Sequence, residues 1–129
     1  MNASKNIRFI AKTNTNLAIA FLKSCFGKRL KSMNNFRIIS DMTRENEKDS
    51  GNAGANFMAA IDLDFKNIKK LVFTSSKSRG IKNIESKGVD LKSSNIEVTQ
   101  DDSVARKFVY YDDWFCIIKY QEIKETKQL

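Results

Sequence analysis

The sequence predicts an α+β fold, with one or two N-terminal helices packed on a mostly antiparallel sheet of about four to five strands that ends in a C-terminal hairpin. Three observations carry this reading. Apolar stripes at helical spacing fill the start of the chain, short β-branched and aromatic runs recur after it, and Asp112-Asp113 separates two such runs near the end. At 129 residues the chain fits one domain, expected to comprise a basic helical segment over 1–35 and a charge-neutral, strand-rich body over 36–129.

Ser4 is placed to cap a short helix carrying Ile7, Phe9, Ile10 and Ala11. The polar run 13–16 interrupts that pattern and opens a second helix. There Ala18, Phe21, Leu22, Cys25, Phe26, Leu30 and Met33 fall on one apolar stripe, with Lys23, Lys28 and Lys31 off it and Gly27 as the weak point. Phe36 to Met42 reads as a first strand and 43–55 as an exposed polar loop. Asn56 to Asp64 reads as a second strand, because Phe57, Ala59, Ile61 and Leu63 alternate with the residues between them.

One or two helical turns from Phe65 lead into a short strand, Leu71 to Thr74. The serine- and lysine-rich stretch 75–94 reads as loop, and Ile96 to Thr99 as a short strand. Lys107 to Tyr111 and Trp114 to Gln121 form the arms of the predicted hairpin. The rival arrangement has Asp112 or Asp113 capping a C-terminal helix, and the density of aromatic and β-branched residues favours the hairpin.

Composition excludes several chemistries. A hydrophobic share of 41% with nine Phe, three Tyr and one Trp argues for a folded chain. The absence of histidine removes Ser-His-Asp and Cys-His nucleophile pairs, His relays and His-containing zinc sites. Cys25 and Cys116 read as free thiols, so the expected location is cytoplasmic, or exported or organellar if the N-terminus is a targeting signal. Leu17 to Leu22, the longest uncharged apolar run, has six residues against the roughly 20 that span a bilayer. Neither a cofactor nor a metal is expected.

The charge is placed asymmetrically. The whole formal net charge of +8 lies in residues 1–40, which carry Lys5, Arg8, Lys12, Lys23, Lys28, Arg29, Lys31 and Arg37 and no acid. From Asp41 onward fifteen basic residues face fifteen acidic ones. Cations without neighbouring carboxylates bind phosphates and release counterions, so these eight are the candidate contacts for an anionic partner, with Lys77 and Arg79 of the loop Ser75–Gly80 extending them. A basic amphipathic helix also suits an anionic membrane, an acidic protein surface or an address signal, and a solvated face on a core helix is the plainest alternative.

Two further constellations are weaker. Asp62 and Asp64 would share one strand face, and an acid followed by Glu122-Ile123-Lys124 outlines a nuclease skeleton, though E-x-K recurs at Glu85-Ser86-Lys87. The aromatics Phe108, Tyr110, Tyr111, Trp114, Phe115 and Tyr120 could stack bases or anchor a partner, but aromatics near a hairpin more often belong to the core. The expected function is therefore non-catalytic binding of nucleic acid or a nucleoprotein machine, as an accessory or inhibitory protein. A translocated or organelle-directed interaction module stands second, and a metal-dependent phosphodiesterase a distant third.

Overall fold

The structure, a computed structural model, describes residues 8–32, 36–45, 47–109 and 115–119. The chain runs β1 (Arg8–Ala11), α1 (Thr15–Lys23), α2 (Cys25–Lys31), β2 (Phe36–Asp41), a 3-10 turn (Ser50–Asn52), α3 (Ala53–Ile61), β3 (Lys69–Phe73), α4 (Lys77–Glu85), β4 (Ile96–Thr99), α5 (Asp102–Val109) and β5 (Phe115–Lys119). The strands join in the order β1-β5-β2-β3-β4, and every pairing is parallel.

This overturns the antiparallel sheet and the hairpin. A tight turn joins only antiparallel neighbours, whereas parallel strands need a crossover, and here a helix stands between each strand and the next. The described part of the hairpin's first arm, 107–109, is instead the end of α5, which carries Phe108 as a helical residue. Asp112, Asp113, Tyr110, Tyr111, Trp114, Tyr120 and the Glu122–Lys124 motif lie outside the described residues.

Register fixes the two faces of the sheet. Ile38 pairs with Lys70 and Lys70 with Ile96, while Ile39 pairs with Leu71. The first face carries Phe36, Ile38, Val72, Ile96 and Val98, which join Ala18, Leu22, Leu30, Phe57, Ile61 and Ile84 in one buried cluster. Helices α1 to α4 thus cover this face, and α3 packs against both α1 and α4. On the other face α5, which follows β4, packs on β3 and β4 and buries Ala105.

Other segments differ from the sequence expectation for identifiable reasons. Residues 8–11, expected in a helix, are strand β1, paired with β5. Asn56–Asp64, expected as a strand, belongs to α3 and its C-terminal end. That helix buries Ala53, Gly54, Ala55, Phe57, Met58 and Ile61, so it shows no polar face to mark a helical period. Its first turn presses on β2: a Cβ at Gly54 would stand 2.5 Å from the Asp41 carbonyl oxygen. The stretch 75–94 contains α4, capped by the Ser76 hydroxyl, which accepts the Arg79 N–H.

The second helix is divided, and at Ser24 rather than Gly27. Ser24 adopts an extended conformation (φ −72°, ψ 171°), ends α1 and caps α2 by accepting the Gly27 N–H. Gly27 makes this corner sterically feasible, since a Cβ there would lie 2.4 Å from the carbonyl oxygens of Phe21 and Leu22. The break also changes the phase of the stripe. In one continuous helix Phe26 would follow Leu22 into the core; after the corner only Gly27 and Leu30 of α2 are buried, and Cys25 and Phe26 are exposed.

Candidate nucleic-acid interface

The corner between α1 and α2 gathers four of the ten sequence-predicted cations. Lys23 is in the last turn of α1 and Lys28, Arg29 and Lys31 are in α2; all four are exposed. Among the described residues none of the four takes part in an ion pair. Lys12, in the turn after β1, reaches the same surface, with its ammonium 5.0 Å from the centre of the Phe21 ring. The Phe21 and Phe26 rings meet edge to face, with centroids 5.7 Å apart and planes at 73°. Lys31 lies 5.8 Å from the Phe65 ring centre, where the corner approaches the end of α3. The surface side of the corner thus carries the Phe21 and Phe26 rings beside Lys12, while Lys31 sits at the edge of the core over the buried Phe65.

The remaining predicted cations are placed elsewhere. Arg37 lies on the opposite face of the sheet, 5.2 Å from the Phe108 ring of α5, because it alternates with the core residues Phe36 and Ile38. Lys77 and Arg79 occupy the first turn of α4 at the carboxyl end of β3, with α3 between them and α1. Arg8 belongs to β1, and Lys5 lies outside the described residues.

A polar network at the carboxyl end of β2 was not anticipated. Arg44, expected in an exposed loop, is buried at 8% exposure. Its guanidinium donates to Glu47 Oε2 (2.9 Å), Ser40 Oγ (2.8 Å), the Asp41 carbonyl (3.0 Å) and Thr15 Oγ1 (2.6 Å). Glu47 in turn accepts the Thr15 N–H and hydroxyl, both at 2.7 Å. Burial pushes the Glu47 carboxyl up, but these Thr15 and Arg44 contacts outweigh it and hold the group below the usual carboxylate range. An open cleft of about 570 Å³ lies alongside, lined by Asn14, Thr15, Asn16, Glu47, Lys48, Asp49 and Asn56. Its carboxylates already have partners: Glu47 binds Thr15 and Arg44, while Asp49 accepts from Asn52 and Asn56. The network therefore joins the β1–α1 turn to the β2–α3 connection. The sequence signal was Arg44 three positions before Glu47, a spacing that carries little weight in a loop.

The carboxylate pair Asp62 and Asp64 loses its premise, since the segment is not a strand. Asp62 ends α3, where it accepts from the Ser94 hydroxyl (2.5 Å) and from Lys66 Nζ (2.9 Å), while Asp64 is exposed. Burial raises the Asp62 carboxyl, yet Ser94, Lys66 and the nearby Lys70 together lower it. Lys70 is buried at 1% exposure and donates to the carbonyls of Phe65 (2.5 Å) and Ile68 (2.8 Å). Desolvation lowers its pKa to about 8, against the attraction of Asp62 and aided by Lys66. Among the described residues, no group of three or more His, Cys, Asp or Glu is placed to hold a metal ion. None of the described helices is long and apolar enough to cross a membrane.

No family model, curated protein or solved structure matches the chain.

Proposed function

We propose that the protein is a non-catalytic binding protein whose α1–α2 corner engages nucleic acid through its phosphates. The observation that carries this reading is the corner itself: Lys23, Lys28, Arg29 and Lys31 stand exposed within nine residues, without an ion-pair partner among the described residues. Uncompensated cations on a rigid surface attract a polyanion at little ordering cost, because the helices are already held by Leu22 and Leu30 in the core. The carboxylates nearest to a catalytic arrangement, Glu47 and Asp62, have hydrogen-bonding and ionic roles that hold loops together. Arg37, Lys77 and Arg79 are not part of this contact surface.

The reading is tested by titrating labelled DNA and RNA with the intact chain and with a variant carrying Lys23→Gln, Lys28→Gln, Arg29→Gln and Lys31→Gln. Loss of binding in the variant, with thermal unfolding unchanged, is the expected result. Equal binding by the two proteins contradicts it.

A further inference from the structure

We infer that the α1–α2 corner prefers single-stranded nucleic acid to duplex, with Phe26 as the platform for one unpaired base. This rests on the polyanion reading above and specifies its ligand. Phe26 is 47% exposed on a helix whose buried positions are Gly27 and Leu30, so its ring is turned away from the core. Leaving a ring of this size in water forgoes burial that a folded chain ordinarily uses, and the sequence placed Phe26 inside. The edge-to-face contact with Phe21 braces the ring, so little side-chain entropy remains to be lost on binding. Such a contact occupies an edge or one face, and the rest of the ring stays accessible to a flat partner.

The charges around Phe26 match a nucleic-acid strand. Arg29 lies one helical turn on from Phe26 and so on the same side of α2. Lys23 precedes it across the Ser24 corner, and the Lys12 ammonium lies over Phe21. Phosphates would lie on these cations while a base stacks on the ring. In a duplex the bases are already stacked on one another, so only the cations have partners there.

An anionic membrane fits less well, since an interfacial helix needs a continuous apolar face turned outward. The only large apolar side chains exposed on α1 and α2 are Leu17, at the start of α1, and Phe26.

The experiment measures fluorescence anisotropy of short labelled single strands and of duplexes of the same sequence, with the intact chain, Phe26→Leu, Phe26→Tyr and the four-glutamine variant. Anionic phosphatidylserine vesicles form a separate arm. The single strand should bind more tightly than the duplex. Phe26→Leu should weaken single-strand binding by about 5- to 100-fold, as expected for one stacked base, with duplex binding and thermal unfolding unchanged. Phe26→Tyr keeps a ring and should retain the preference. If Phe26→Leu binds the single strand as well as the wild type does, or the wild type shows no preference, the stacking inference fails while the polyanion reading stands. If neither nucleic acid binds, the polyanion reading fails with it, and binding to vesicles alone assigns the corner to a membrane surface.

Discussion

Arg44 Nη2 donates a 2.6 Å hydrogen bond to the hydroxyl of Thr15, 29 positions earlier in the chain. With Glu47 accepting both the Thr15 hydroxyl and its N–H, this contact ties the first turn of α1 to the segment leaving β2. Removing the guanidinium leaves Glu47 partly buried without its cation and Ser40 Oγ without its donor. Arg44→Met should therefore cost about 2–4 kcal/mol in urea unfolding, below the top of the range for buried pairs because Glu47 keeps some water contact. A loss under about 0.5 kcal/mol would mean that the network is ornamental.

The same network predicts an acid response. The folded-state pKa of Glu47 lies below its ordinary value, so its stabilisation is present above the unfolded-state pKa, near about 4.3, and is lost as pH falls through the lower folded value. The wild type should be more stable than Glu47→Gln at neutral pH, and the gap should close below about pH 4. A gap that does not change with pH would contradict the assignment.

Lys70 gives the opposite window. Its folded pKa is about 8, against about 10.4 in an unfolded chain, so between these values the unfolded state binds more protons and wild-type stability rises with pH. Relative to Lys70→Met, the wild type should gain up to about 3 kcal/mol from pH 8 to pH 10.4. The Phe65 and Ile68 carbonyls each lose the Lys70 donor in Lys70→Met, which adds an offset that does not vary with pH; Phe65 keeps the Ile68 N–H. A flat difference across this window would place the ammonium in water.

Gly27 at the Ser24 corner and Gly51 in the 3-10 turn are glycines of different kind. Gly27→Ala drives a Cβ to 2.4 Å from two backbone oxygens and should destabilise by more than about 2 kcal/mol, while Gly51→Ala, with nothing within 4 Å, should be nearly neutral. Ser24→Ala removes the cap on Gly27 N–H and should cost about 1 kcal/mol. If Gly27→Ala unfolds with the wild type, α1 and α2 do not form this corner.

Strands were more legible in the sequence than their directions. Ile96–Thr99 matches β4, and Phe36–Met42 includes all of β2. The errors elsewhere are linked. α3 has apolar residues nearly all round, and the apolar face of α4 is narrow, with Ile81 and Ile84 its only large apolar residues in a serine-lysine run. With α3, α4 and α5 hidden as helices, the sequence shows no crossover helix between its strands, and strands without crossover helices point to antiparallel neighbours. The cations were legible because lysines and arginines without carboxylate neighbours are visible one by one. Phe26 and Arg44 were not, because their burial depends on the break at Ser24 and on a partner 29 positions away.

The central claim is that nucleic-acid phosphates lie on the α1–α2 corner, and salt dependence tests it most directly. Observed affinity for a single strand should be measured across a salt series for the wild type and the four-glutamine variant. Each phosphate contact contributes about −0.7 to the slope of log K against log salt, so the variant should flatten that slope by about 1.4, if only Lys23 and Arg29 touch phosphate, up to about 3 if all four do. Parallel slopes for the two proteins would show that the phosphates lie somewhere else.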